Sequence, residues 1–506
     1  MFTQLLPKGA LFFCMALCNT LLDAAKDTLV ITGGGGVQQL PFLVTYIVFP
    51  CSVLFLLAFT SVSSRYSRGH TFDLVIAAFA TFFAVFTFVL YPLRHVLHPT
   101  EAAELLAAAL PPGLSGAVAC FRDWTFSLFY VASELWGDVV LSLLFWGLAN
   151  ETTSLRDAPL LYPLFGIGAN LAQASAGLCL KLLAACAHAT GRLGDAAWAF
   201  QLRALCLIIV ATCAGIVALH AHIVRVADAT GTMALPPPPP PPPEEESGAA
   251  RSKRRKAGEP SLAASLATVT SSGHIQALAM CAVAQGVATT LHEFAWKDHL
   301  RQLVPTPDAY SAAMGDVATA TGVLSMALML LSPVLFARLK WHGAASASPR
   351  ILLFGGGLFF AAAVARSQLL PAALGPQLLQ PLVILGSLLF VFSRASKYAL
   401  WKPSEEIIYM SLDYASRTRG KAAIDVVANQ VGKSGGSLFN QALLLGCGGS
   451  LPAALPLMSV AFMACVVNWL GAVASLERWR HKPVGPPGGA APSGGGEDAR
   501  AVGSAA

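Results

Sequence analysis

Residues 74–91 read LVIAAFATFFAVFTFVLY, eighteen consecutive residues without a charge. A helix needs about 20 mainly apolar residues to cross a hydrocarbon core of roughly 30 Å. Runs of this kind recur along the chain. They predict twelve spans, near 9–31, 41–62, 72–92, 124–149, 160–182, 199–223, 275–297, 312–337, 351–370, 378–400, 424–446 and 453–475. The composition agrees: 55% of the 506 residues are hydrophobic, only 12% are charged, and the mean hydropathy is +0.62. A soluble globular chain carries about 25% charged residues, so this one has too little polar surface to face water all round. In lipid every backbone polar group must be satisfied internally, which leaves helices or a closed barrel. A barrel would show alternating segments of about ten residues, not these long runs. The sequence therefore predicts an all-α polytopic membrane protein, with the lipid bilayer as its main solvent.

One stretch is of another kind. Residues 226–272 hold eight prolines (Pro236 to Pro243), three glutamates (Glu244 to Glu246) and the basic run Arg251, Lys253, Arg254, Arg255, Lys256. Polyproline cannot pack a core, so this is a water-exposed linker at mid-chain. It separates an N-terminal six-helix half (1–225) from a C-terminal one (273–482), followed by a Gly/Ala/Pro-rich tail (483–506) expected to be disordered. Two six-helix halves joined by a long polar loop is a major-facilitator-like layout. Arg65, Arg68, the linker's basic run, Arg338, Lys340, Arg350, Arg478, Arg480 and Lys482 all fall in even-numbered loops or the tail, whereas residues 33–39 carry no charge. The positive-inside rule then places both termini and the linker on the cytosol-equivalent side. Only eight residues precede the first span, so neither a cleavable signal nor a transit peptide is expected there.

Several function classes recede on composition. The eleven cysteines lie mostly in apolar runs, with no CxxC and no Cys/His cluster, so no disulfide framework, metal site or cofactor is expected. The net charge of +6 is modest and calls for no nucleic-acid partner. The eleven histidines are scattered, and His220 and His222 point to different helix faces, so no catalytic constellation appears and an enzyme is not expected.

Charges inside the spans are the informative residues. A charge at the bilayer centre costs roughly 3 kcal/mol on insertion scales, so such residues face a cavity. Span 1 ends in Asp23, Lys26 and Asp27, on one helix face. They read either as a cation able to leave its carboxylates for a phosphate, or as a structural pair snorkelling at the interface. Span 4 carries Glu134 and Asp138, one turn apart, and ends at Asn150 and Glu151. Two like charges need an external cation or a proton. Span 7 ends in His292, Glu293, Trp296 and Lys297. Glu293 and Lys297 form an i,i+4 pair that reads equally well as an interfacial helix end with Trp296 in the aromatic belt. Span 11 runs from Lys421 through Asp425 to Gly432-Lys433-Ser434-Gly435-Gly436. It lacks P-loop spacing, its polarity suggests a broken helix, and its glycines would let phosphate approach the backbone. Lysines and acids spread over both halves suit a polyanion bound between the halves. The acids would hold the lysines when no substrate is present.

At these residues the chain resembles the ATP/ADP translocases of plastids and of intracellular bacterial parasites. The likeness rests on Lys26-Asp27-Thr28-Leu29-Val30; Glu134-Leu135-Trp136-Gly137 with Leu141-Ser142-Leu143-Leu144-Phe145-Trp146; Tyr162-Pro163-Leu164-Phe165-Gly166; Tyr310-Ser311-Ala312 with Met314-Gly315-Asp316; and Gly420-Lys421-Ala422-Ala423-Ile424-Asp425-Val426-Val427 with Gly432-Lys433-Ser434-Gly435-Gly436. The resemblance implies antiport of ATP and ADP by alternating access, with functional charges at Lys26, Glu134, Glu293 and Lys433. Asp138, Lys421, Asn150 and Lys297 complete the expected substrate-binding set. The chain departs from the family at Lys402-Pro403, at Asn429-Gln430 and at Asp138, where a serine is common. Import of other nucleoside triphosphates, proton-coupled nucleotide transport, or carriage of another phosphorylated solute stay open. A monomer is expected, and the Ala- and Pro-rich composition favours the inner envelope of a plastid.

Overall fold

The structure, a computed structural model, describes residues 2–153, 158–229, 273–371, 374–411, 424 and 428–480. Most of the linker (230–272) and the tail from 481 onward lie outside the described residues, so the expectations placed there are not addressed.

The described residues form helices and no strand. In chain order the long ones are α1 (Phe2–Ile31), α2 (Gly36–Arg65), α3 (Arg68–Leu90), α4 (Trp124–Thr152), α5 (Ala158–Ala189), α6 (Gly194–Ala229) and α7 (Gly273–Leu303). The stretch Pro307–Leu369 is 63 residues long. At 1.5 Å per residue that is roughly three times the thickness of the core. It reverses at Lys340, whose φ of 56° and ψ of −178° break the helix, and so forms two spans, α8 (307–339) and α9 (341–369). α10 (Gly375–Met410), α11 (Asn429–Gly446) and α12 (Leu451–Arg480) complete the set. α11 is among the less apolar of the twelve, as its Gly, Ser, Asn, Gln and Lys content dictates. Its described part is one unbroken helix; where residues 412–423 and 425–427 would extend it lies outside the described residues.

Two cores follow the sequence halves. One joins buried residues of α1 to α6, from Leu11 to Ile223. The other joins α7 to α12, from Ile275 to Leu476, and takes in Ile31 and Val37 at the end of α1 and the loop after it. Large apolar side chains such as Leu54, Leu57, Leu330, Phe354 and Val460 point outward, as lipid-facing surface must.

Small residues bring the halves together along α5 and α8. A Cβ on Gly177 would fall 2.4 Å from the Gly315 carbonyl oxygen, and one on Gly322 would fall 2.5 Å from that of Asn170. Only hydrogen fits there, the close approach on which helix pairs in lipid rely. Within the first half, Trp136 Nε1 donates to the Met15 carbonyl at 3.1 Å, and Gly137 lies against Asn19, which fixes α4 on α1. Short helices between α3 and α4, ending in Ser115–Arg122, cover the face where α1 ends, and Gly113 lies against the backbone of Leu445 at the end of α11.

Candidate functional site

The spans converge on one carboxylate. Glu134 of α4 accepts a hydrogen bond from Lys26 Nζ of α1 at 2.6 Å and another from Lys433 Nζ of α11 at 2.8 Å. Lys26 also donates to Asp23 Oδ1 at 2.5 Å and lies 5.1 Å from the centroid of the Tyr130 ring. Glu134 stands ten residues after the start of α4 and Lys433 thirteen before the end of α11, so each lies about 15–20 Å from the face where α1 ends at 1.5 Å per residue. This is mid-membrane, where an unpaired charge is most expensive. The external cation that Glu134 required is therefore a pair of lysines, one from each half. The interfacial reading of Lys26 is not what the structure shows: its side chain is 9% exposed and turned inward to Glu134.

A second node ties α1 to α7. Lys297 Nζ lies 2.8 Å from Asp27 Oδ2 and 3.7 Å from Glu293 Oε2. The pair is not a helix-end device. Trp296 is fully buried, stacks on Phe390 with ring centroids 4.9 Å apart, and donates to Ser387 Oγ at 3.0 Å, so the aromatic-belt reading is corrected.

The remaining expected residues divide. Asp138 pairs with neither lysine; a π-helical stretch starts at Trp136 and changes the rotation per residue after Glu134. Asn150 is outside the cluster and accepts from the Tyr162 hydroxyl at 2.6 Å. Lys421 lies outside the described residues. Of the three glycines around Lys433, Gly435 meets no neighbour within 4 Å, and the other two need a correction. Gly432 meets the backbone of Gly286 and Gly436 meets Thr290, so both serve the packing of α11 on α7. Their N–H groups belong to a helix and do not form an anion nest.

Around these nodes lies a cavity in two adjoining compartments. The first, of about 510 Å³, is lined by six cations (Lys26, Lys297, Arg394, Lys397, Lys402, Lys433) and four carboxylates (Asp23, Asp27, Glu134, Glu293). Cations stay in excess when Glu405, which binds Lys402 at 2.8 Å, is counted with the carboxylates. The second, of about 480 Å³, holds the aromatic side chains Phe12, Trp146, Tyr162 and Phe390 and the amides Asn19, Asn170 and Gln173. Each falls within the usual range for small-molecule sites. Arg394 and Lys397 were missed by the sequence reading. They stand three residues apart in an apolar span, so the same cost argument applied to α10 would have found them.

The cavity is shut toward the face where α1 ends. There Arg301 Nη2 donates to the Gly33 carbonyl at 3.3 Å and Gln441 Nε2 to the Pro41 carbonyl at 2.7 Å. Lys181 meets Asp316 at 2.6 Å and His188 meets Asp308 at 2.9 Å. Nearer the opposite face, the polar contacts between halves among the described residues are Thr319 Oγ1 to the Ala174 carbonyl at 3.5 Å and Asn170 Nδ2 to Met329 Sδ at 3.0 Å. Lys433, in the cavity between these two sets of contacts, is half-exposed.

Comparison with known proteins places this architecture. The model of the TLC ATP/ADP transporter family matches residues 1–479. The chain belongs to that family. A plastidic ATP/ADP-transporter of Solanum tuberosum is 38% identical over 94% of this chain and 72% of its own length. ADP,ATP carrier protein 1 of Chlamydia muridarum is 37% identical over 94% of this chain and 88% of its own. Among solved structures, a D-xylose-proton symporter aligns with a TM-score of 0.55 at 12% identity, over 95% of this chain and 98% of that one. A bacterial homologue of the iron transporter ferroportin in an inward-facing state gives 0.52 at 13% identity, over 94% and 100%. These two share the fold alone. In this TLC family member, then, the ion-pair node sits at the meeting of two major-facilitator-like halves.

Proposed function

We propose that this protein exchanges ATP for ADP across its membrane by alternating access, and that Lys26 and Lys433 hold the phosphates. The observation that carries the reading is the sharing of Glu134 by two lysines from opposite halves. A polyphosphate entering between them offers the same charge-assisted contacts that Glu134 gives the empty carrier. In the empty carrier Glu134 bridges Lys26 of one half and Lys433 of the other, a link that must break before the halves reorient, whereas a bound anion takes its place on the lysines. That asymmetry favours antiport over one-way passage. The two compartments match the two ends of a nucleotide. The cationic one suits the phosphates, and the aromatic one, with its amide side chains, suits a purine base that stacks and presents hydrogen-bonding edges. Gln173 has no hydrogen bond of its own among the described residues and lines that second compartment.

The cavity is enclosed by helices of one chain, so we take the monomer as the transport unit. The basic loops place the open face on the cytosol-equivalent side, and the plastidic relatives favour a plastid envelope. The test is equilibrium binding of ATP to the detergent-purified protein. Lys26→Gln and Lys433→Gln should each raise the Kd at least tenfold. ATP affinity unchanged in both variants would overturn the lysine assignment.

A further inference from the structure

The Glu134 and Lys297 nodes account for three of the cavity's cations, and Glu405 accounts for Lys402. Arg394 and Lys397, one turn apart on α10, are left. Neither side chain makes a hydrogen bond or ion pair among the described residues. The guanidinium of Arg394 rests 4.8 Å from the centroid of Phe390, and Lys397 Nζ lies 5.8 Å from that of Tyr398. Glu293 acts on Arg394 only from beyond ion-pairing distance. A guanidinium held on an aromatic face inside a membrane span, with its donors unused, is costly unless an anion visits it.

Its position identifies the anion. The two compartments share five lining residues: Asp23, Met314, Phe390, Arg394 and Tyr398. Arg394 is the one cation among them. It stands where the aromatic compartment becomes the charged one, while Lys26 and Lys433 lie on the charged side alone. In a nucleotide the group at that junction is the phosphate bonded to the ribose.

Resting on the nucleotide reading, we propose that Arg394 clamps the first phosphate, the one common to ADP and ATP. The planar guanidinium fork can bind two phosphate oxygens at once, which a lysine cannot. Arg394 thus sets affinity for nucleotides as a class, and the discrimination between ADP and ATP falls to the lysines beyond it.

The test is the Kd of the purified protein for ADP and for ATP, in the wild type, Arg394→Gln, Arg394→Lys and Lys433→Gln. Arg394→Gln should weaken both ligands at least tenfold and by the same factor within about twofold. Arg394→Lys, which keeps the charge without the fork, should fall between wild type and Arg394→Gln and guards against a simple folding defect. Lys433→Gln should weaken ATP more than ADP. Loss of less than threefold for both ligands in Arg394→Gln, or losses that differ by more than fivefold, would overturn the assignment while leaving the lysine reading intact. A wild type that binds neither nucleotide would overturn the nucleotide reading itself.

Discussion

Replacing Glu134 by glutamine should make the carrier bind ATP more tightly and turn over more slowly. In the empty protein Glu134 competes with phosphate for two lysines. A hydrogen bond between charged groups contributes about 1.5–3 kcal/mol. The full value applies to Lys26, whose side chain is 9% exposed; the Lys433 arm is 50% exposed and is screened to at most about 1 kcal/mol. Against this, Lys26 keeps Asp23 at 2.5 Å, so not all of the competition disappears. A net release of about 1.5–3 kcal/mol corresponds to roughly 10–100-fold tighter ATP binding. Because the gain falls on the bound ground state, release slows and exchange drops with it. The assay pairs calorimetric ATP binding to purified protein with initial exchange rates in liposomes. Thermal unfolding of the empty variant should shift to a lower midpoint, since the buried Lys26 loses Glu134 and keeps only Asp23. If Glu134→Gln folds normally yet binds ATP more weakly, Glu134 contacts the nucleotide and does not compete with it, and the reasoning fails.

Three further outcomes follow from the geometry. Lys297→Gln leaves the buried Asp27 carboxylate without its partner at 2.8 Å and should destabilise the protein by about 3–5 kcal/mol, read as a lower thermal midpoint; adding Asp27→Asn should recover much of the loss, and no recovery would argue against the pair. Gly177→Leu would drive α5 into the Gly315 backbone 2.4 Å away, so exchange should be lost although the protein still inserts, checked by uptake and by size-exclusion profile. A cysteine placed at Asp138 in a cysteine-free background should react with an impermeant maleimide from the termini face and be shielded by ATP; labelling from the opposite face would reverse the orientation of the cavity.

How much of this the sequence revealed depends on which physical term carried the information. The spans were legible because burial in lipid demands long apolar runs, and even the α8–α9 pair was separable although no loop divides it at Lys340. Lys26, Glu134 and Lys433 stood out because mid-membrane charge is expensive. Their pairing did not, since the partners are 108 and 299 residues apart and only the packed halves bring them together. Gly432 and Gly436 misled because a small residue serves close helix packing and phosphate approach equally well, and only the positions of Gly286 and Thr290 decide between them. Trp296 read as interfacial because it lies between the charged residues Glu293 and Lys297 near a helix end; the structure buries it against Phe390. Arg394 was passed over, although its cost in an apolar span matches that of Lys433.

The central claim is exchange of nucleotides through a site in which Glu134 and phosphate alternate on Lys26 and Lys433. The most direct measurement is uptake of labelled ATP into liposomes that contain the purified protein and are loaded with ADP, with phosphate, or with neither. The account predicts rapid uptake that depends on internal ADP and is abolished in Lys26→Ala and Lys433→Ala. Equal uptake into ADP-loaded and empty liposomes, or full exchange by the two lysine variants, would contradict it.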